Sequence, residues 1–168
     1  VADEATRDVL EAGDRVAVVL PNSVEWVVSC LACVRAGAIA VPINHEATSP
    51  EIEYRLDDAS CTALVTSDVR ERELRAVGAS VGTVREYVTV SWSSQPVVGT
   101  PFAVATARGT PSEPLDPDTI DDPAFVIYTS GTTGKPKGVL LSTHGMLGVA
   151  AACWAPIASL SGSDRVLT

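Results

Sequence analysis

The sequence is short of cations, aromatic side chains and long apolar runs, and each shortage removes a class of function. Twelve Lys and Arg stand against 21 Asp and Glu, a net charge of -9. That balance argues against a surface built for nucleic acid or for an anionic membrane. Only two Phe, three Tyr and three Trp are present, and Trp26, Trp92 and Trp154 show no spacing that would stack bases. The longest strongly apolar stretch, Val24 to Val34, contains Glu25 and Ser29 and falls far short of the ~20 residues of a membrane span. The first residues are acidic and lack the apolar core of a secretory signal. No initiator Met is present, and Thr168 closes the chain inside strand-like residues, so both ends are expected to be cuts in a longer protein. Cys30 and Cys33 have CxxC spacing, but no second CxxC or paired His accompanies them and both fall in an apolar helical run. That pair reads as packing, and all four cysteines, with Cys61 and Cys153, read as reduced cytosolic thiols.

What remains is an ordinary globular composition, 46% hydrophobic and 20% charged, with 168 residues and no internal repeat. That length suffices for one domain with a substantial core. Helix-like and strand-like segments alternate up to Val90, which predicts an α/β fold: a layered, mostly parallel sheet flanked by helices. Asp3 to Ala12 reads as a polar helix ended by Gly13. Arg15 to Leu20 has the continuous apolar run of a buried parallel strand and stops at Pro21. Asn22, three residues before Glu25, predicts the start of a helix over Ser23 to Ala36 that is apolar nearly all round, hence buried, and stopped by Gly37. Ala38 to Ile43 is the next strand. Ser49-Pro50-Glu51 opens a helix with one apolar stripe at Ile52, Leu56 and Ala59. Thr62 to Thr66, Val69 to Val77 and Val84 to Val90 follow as strand, charged surface helix and strand. Residues 91–123 hold six of the eleven prolines and five acids against one cation, Arg108. They are expected to form an exposed, Pro-rich acidic connection without regular elements.

Apolar order resumes at Phe125 to Tyr128, a short buried strand. The run Thr129-Ser130-Gly131-Thr132-Thr133-Gly134 follows, then Lys135-Pro136-Lys137-Gly138, a second apolar strand at Val139 to Leu141, and a helix starting near Thr143. Gly131 and Gly134 let the backbone approach a ligand without Cβ interference. Successive N–H groups in such a turn form an anion-binding concavity. Four hydroxyls, on Thr129, Ser130, Thr132 and Thr133, add donors that can also face a hydrated metal. Lys135 and Lys137 place two cations in an acidic background, and Pro136 limits where they can point. A Walker A loop is excluded, because two residues rather than four separate Gly131 from Gly134 and Pro136 follows Lys135; a GxGxxG fingerprint is absent. A solvated hairpin turn would be the plain reading of an isolated Gly-rich loop. Eleven consecutive constrained residues argue for the anion site.

Tyr128 to Val139 resembles the signature loop of the adenylate-forming superfamily, which includes acyl-CoA synthetases, peptide-synthetase adenylation domains and firefly-type luciferases. Gly13-Asp-Arg-Val-Ala-Val-Val-Leu-Pro-Asn22 and Ala36-Gly-Ala-Ile-Ala-Val-Pro-Ile-Asn44 are similar to upstream blocks of that family in the same order, and Asp164-Arg-Val-Leu167 to the strand before its next motif. The resemblance implies that residues 1–168 are the N-terminal part of an AMP-binding domain. It further implies that Thr129, Ser130, Gly131, Thr132, Thr133, Gly134 and Lys137 hold the ATP phosphates, with Thr129 as Mg²⁺ ligand and no catalytic residue in this stretch. The implied reaction is attack of a carboxylate on the α-phosphate, giving an acyl-adenylate and pyrophosphate, then transfer of the acyl group to CoA or a carrier thiol. Asn44 after the Val-Pro strand, and the helix beginning at Ser49, look more like acyl-CoA ligases than amino-acid adenylation domains. A truncated, non-catalytic nucleotide-binding module is a further alternative. His144 matches a His common in the family, and would either face the substrate or help start its helix. His45 reads as a surface residue.

Overall fold

The structure, a computed structural model, describes residues 10–93, 95–107, 120–130 and 134–154. Seven strands form one sheet: β1 (Arg15–Val19), β2 (Ile39–Pro42), β3 (Ala63–Ser67), β4 (Glu86–Val90), β5 (Thr100–Pro101), β6 (Pro123–Thr129) and β7 (Lys137–Ser142). Their spatial order is β5-β4-β3-β1-β2-β6-β7, and every neighbouring pair is parallel except the β6–β7 hairpin. The helices are α1 (Val24–Arg35), α2 (Ser49–Asp58), α3 (Glu71–Val81), α4 (Phe102–Ala107) and α5 (Thr143–Val149), the last continued by a π-helical turn at Ala150–Trp154. The α/β, mostly parallel sheet expected from the alternation is therefore present.

Side chains alternate across each strand, so every central strand feeds two cores. On one face Ala17, Val19, Ile39, Val41, Leu64 and Val126 pack with Ile52 and Leu56 of α2 and Leu74 and Val77 of α3. On the other, Val16, Val18, Ala40, Ala63 and Val65 pack with Cys30 and Cys33 of α1. This division follows from the handedness of parallel crossovers. The step from β1 to β2 runs in the opposite direction along the sheet from the steps β2 to β3 and β3 to β4. A right-handed connection must then put α1 on the opposite face from α2 and α3.

Helix starts agree with capping chemistry, with one displacement. Ser23, not Asn22, caps α1, its Oγ accepting from the Trp26 N–H at 3.1 Å. Thr48 and Glu51 form a reciprocal capping box on α2, and Pro50 sits in the first turn. Gly37 and Gly13 take left-handed φ of 72° and 85° at their turns.

Three further expectations are corrected. The outer face of α1 is not buried: Val24 and Leu31 are 75% and 61% exposed, and Val27 and Val28 lie beside them. Apolar residues on all sides predict burial, but only the side carrying Ser29, Cys30 and Cys33 meets the sheet. Helix α3 is longer than its charge pattern suggested and half-sunken, with Glu71, Leu74, Val77 and Gly78 buried. The 91–123 connection contains β5 and α4, because the chain returns to the sheet edge and pairs parallel to β4, Thr100 with Val88 and Pro101 with Thr89. The polar helix expected at Asp3 to Ala12 lies largely outside the described residues, as does the strand expected at Asp164 to Leu167.

Candidate functional site

The glycine- and hydroxyl-rich loop joins the two antiparallel strands of the β6–β7 hairpin. Its register pairs Thr129 with Lys137, Tyr128 with Gly138 and Ile127 with Val139. Cross-strand partners share a face, so the first hydroxyl of the loop and its second lysine stand together at the loop's mouth. Thr129, Ser130, Gly134, Lys135 and Lys137 are all exposed there. Gly131, Thr132 and Thr133 lie outside the described residues. Gly134 has φ of 108°, a conformation that a side chain disfavours, which accounts for glycine at the loop's far bend. Contrary to the short buried strand expected, only Ala124 and Val126 of β6 are buried, and β7 presents Val139 and Leu140 outward despite its apolar sequence.

Gly138 answers a different demand. A Cβ there would lie 2.9 Å from Val126 Cγ1 and 3.3 Å from Tyr128 Cζ, so the Tyr128 ring occupies the space beside it. Tyr128 is fixed in turn by α2. Its hydroxyl donates to Asp58 Oδ2 at 2.7 Å, and the Arg55 guanidinium stands 5.7 Å from its ring centre. Burial, and then the Asp58 carboxylate accepting its proton, hold the phenol well above the usual tyrosine range. Tyr54, one residue before Arg55, meets Tyr128 edge to face with centroids 6.3 Å apart. The Tyr54 hydroxyl donates to the Pro136 carbonyl at 2.9 Å, and Lys135 Nζ lies 5.5 Å from the Tyr54 ring centre. The sequence by itself does not assign these α2 residues to the site. The one signal for them is Tyr54, an aromatic residue between the apolar stripe positions Ile52 and Leu56 and off the stripe.

His144 sits in the first turn of α5, whose N-cap is Ser142, with Oγ accepting from the Gly145 N–H at 3.1 Å. The His144 ring lies 2.8 Å from Asp121 Oδ1, and its backbone N–H donates to the Ile120 carbonyl at 2.7 Å. It thus ties the start of α5 to the chain entering β6. His45 is half-buried, its carbonyl accepting from Arg70. Cys30, Cys33 and Cys61 are free thiols in the core, pushed by burial to about 11, 12 and 12. Among the described residues, no group of three or more His, Cys, Asp or Glu is placed to hold a metal. An open cleft of about 370 Å³ lies between Arg75, Tyr87 and Gly99, at the β4–β5 edge and not at the loop.

Comparison with known proteins decides what this hairpin belongs to, for the profile of the AMP-binding enzyme family matches residues 7–168. The chain belongs to that family. Among curated relatives of this AMP-binding enzyme chain, the long-chain-fatty-acid–CoA ligase FadD13 of Mycobacterium tuberculosis is 32% identical over 169 residues. The match takes in 99% of this chain and 32% of FadD13. An acetyl-coenzyme A synthetase of Desulfatibacillum aliphaticivorans is 32% identical across 82% of this chain and 24% of its own length. Among solved structures, a long-chain-fatty-acid-CoA ligase, FadD1, from Archaeoglobus fulgidus superposes with a TM-score of 0.84 at 29% identity. That superposition covers 97% of this chain and 31% of the other. The chain therefore spans about a third or less of the length of these relatives.

Proposed function

We propose that this chain is the phosphate-binding part of an ATP-dependent carboxylate–CoA ligase, and that Thr129, Ser130, Gly131, Thr132, Thr133, Gly134 and Lys137 engage the ATP phosphates. The observation that carries the reading is the hairpin register, which pairs Thr129 with Lys137 on one face of an exposed loop mouth. Donors and a cation converging there suit a polyphosphate, whose transfer chemistry depends mainly on positioning and neutralisation of charge. An acidic protein gains local attraction for an anion only where such cations stand clear of its carboxylates.

Mg²⁺ fits the same place. It keeps most of its water and takes few protein ligands, so the Thr129 hydroxyl at the loop's entry is a suitable single protein contact. Bound there, the ion would neutralise phosphate charge as the α-phosphate is attacked. The proposed reaction is formation of an acyl-adenylate from a carboxylic acid and ATP, with release of pyrophosphate, followed by thioester formation with CoA. The names of the relatives support an acyl-CoA product. A cytoplasmic setting accords with the three free thiols kept in the core.

The test is ATP–pyrophosphate exchange and CoA-thioester formation by the full-length protein, with fatty, aromatic and amino acids offered in parallel. Exchange dependent on a fatty or aromatic acid, with kcat/KM for ATP about 10²-fold lower in Lys137→Ala, is the expected result. Exchange stimulated only by amino acids, with loading onto a carrier thiol, would move the protein to the peptide-synthetase branch. Nucleotide binding without exchange would make it a binding module.

A further inference from the structure

The signature loop contains two lysines, and the structure gives them different surroundings. Lys137 opens β7 and faces Thr129 across the hairpin. Lys135 instead has its ammonium 5.5 Å from the centre of the Tyr54 ring, within the range in which a cation is held by an aromatic face. Between them stands Pro136, which has no N–H and offers the backbone only a carbonyl. That carbonyl accepts the Tyr54 hydroxyl at 2.9 Å. One side chain of α2 therefore contacts the loop twice, once on each side of the Lys135–Pro136 peptide bond.

Tyr54 is itself held. Tyr128 packs edge-on against it and is anchored by the hydrogen bond to Asp58, one turn further along α2. Helix α2 is fixed by Ile52 and Leu56, both fully buried, and by its capping box. The resulting line runs from a rigid helix through two phenols to the residue just before Lys137.

We propose that Tyr54 is a positioning residue of the phosphate loop. Its hydroxyl sets the backbone at Pro136, and so the direction in which Lys137 enters the site. Its ring draws the Lys135 ammonium toward α2 and leaves Lys137 as the lysine that meets the phosphates. The assignment rests on the loop being an ATP phosphate site.

The experiment uses the full-length protein carrying Tyr54→Phe, Tyr54→Leu, Lys137→Ala and the Tyr54→Phe/Lys137→Ala pair, with KM and kcat measured separately for ATP and for the acid. Tyr54→Phe keeps the ring and removes only the hydroxyl, so its melting temperature should match that of the parent. We expect KM for ATP to rise three- to tenfold in Tyr54→Phe and further in Tyr54→Leu, with KM for the acid unchanged. Because Tyr54 acts through Lys137, Tyr54→Phe should add nothing in the Lys137→Ala background, the signature of coupled sites. A purely structural tyrosine would give multiplicative losses and move both KM values together. A rise below twofold in KM for ATP, or multiplicative losses, overturns the positioning role while leaving the loop's function standing. If the parent binds no ATP, or Lys137→Ala changes nothing, the reading of the loop fails and this assignment with it.

Discussion

At the scale of single residues, the two outer glycines of the loop's motif answer different demands, one of backbone conformation and one of packing. Gly134 is needed for its left-handed backbone and has open space around it. Gly138 is needed for room, because Val126 and Tyr128 fill the volume a methyl group would enter. Gly138→Ala should therefore destabilise by about 1–3 kcal/mol, the usual range for overpacking. Because the closest contact is Val126 Cγ1, at 2.9 Å, Val126→Ala should relieve part of that loss. Urea denaturation of both single variants and the double variant would measure the coupling, with a double variant more stable than the sum of the singles predicts. Simple additivity would mean that the Tyr128 ring, not Val126, sets the limit.

At the scale of elements, the return from β4 to β5 depends on two buried acids. Asp68 Oδ2 accepts from the Ser93 N–H at 2.8 Å and from the Ser93 hydroxyl at 2.9 Å. Glu71 accepts from the Val98 and Gly99 N–H groups and pairs with Arg75 at 3.1 Å. Burial by itself would raise both carboxyls, but these donors outweigh it and hold each below its ordinary value, 3.8 for Asp68 and 4.5 for Glu71. As pH falls the unfolded chain then takes up its protons first. The stabilisation is complete above the unfolded values and is lost as pH drops through the folded ones. Urea midpoints should hold between pH 7 and 5 and decline below about pH 4.5, and Glu71→Gln should flatten that decline. A midpoint that falls equally in the variant would remove Glu71 from the account. This strap also explains why a Pro-rich acidic segment orders where its composition predicted only an exposed connection. Its backbone N–H groups find partners in side chains of α3 and the β3–α3 turn, which no local pattern in residues 91–107 could announce.

At the scale of the whole molecule, one layer is left uncovered by the described residues. Val24, Val27, Val28 and Leu31 recur at helical spacing along the outer side of α1, and all four are exposed. A contiguous exposed apolar stripe of this kind favours association between molecules. The 168-residue chain by itself is therefore expected to self-associate. Val27→Lys with Leu31→Lys should reduce that association in sedimentation while shifting stability by no more than about 0.5 kcal/mol, since exposed positions are replaced by a good helix former. Loss of folding in the pair would show that the stripe supports the fold from within.

The sequence by itself determined the α/β class, the location of most central elements and the loop at Tyr128–Gly138. These depend on short-range physics: apolar runs of strand length, helix starts such as Ser49-Pro50-Glu51, and glycines where chain geometry demands them. Boundaries moved by a residue or two where the cap was a neighbour, as with Ser23 in place of Asn22. The tertiary structure alone decided which side of α1 meets the sheet, that Tyr54 and Asp58 of α2 support a hairpin 70 or more residues away, and that Lys135 and Lys137 stand in different surroundings. The last two result from the strand order β1-β2-β6, which brings the α2 face of the sheet alongside the hairpin. No periodicity along the chain encodes that order, because it is set by how two cores are filled at once.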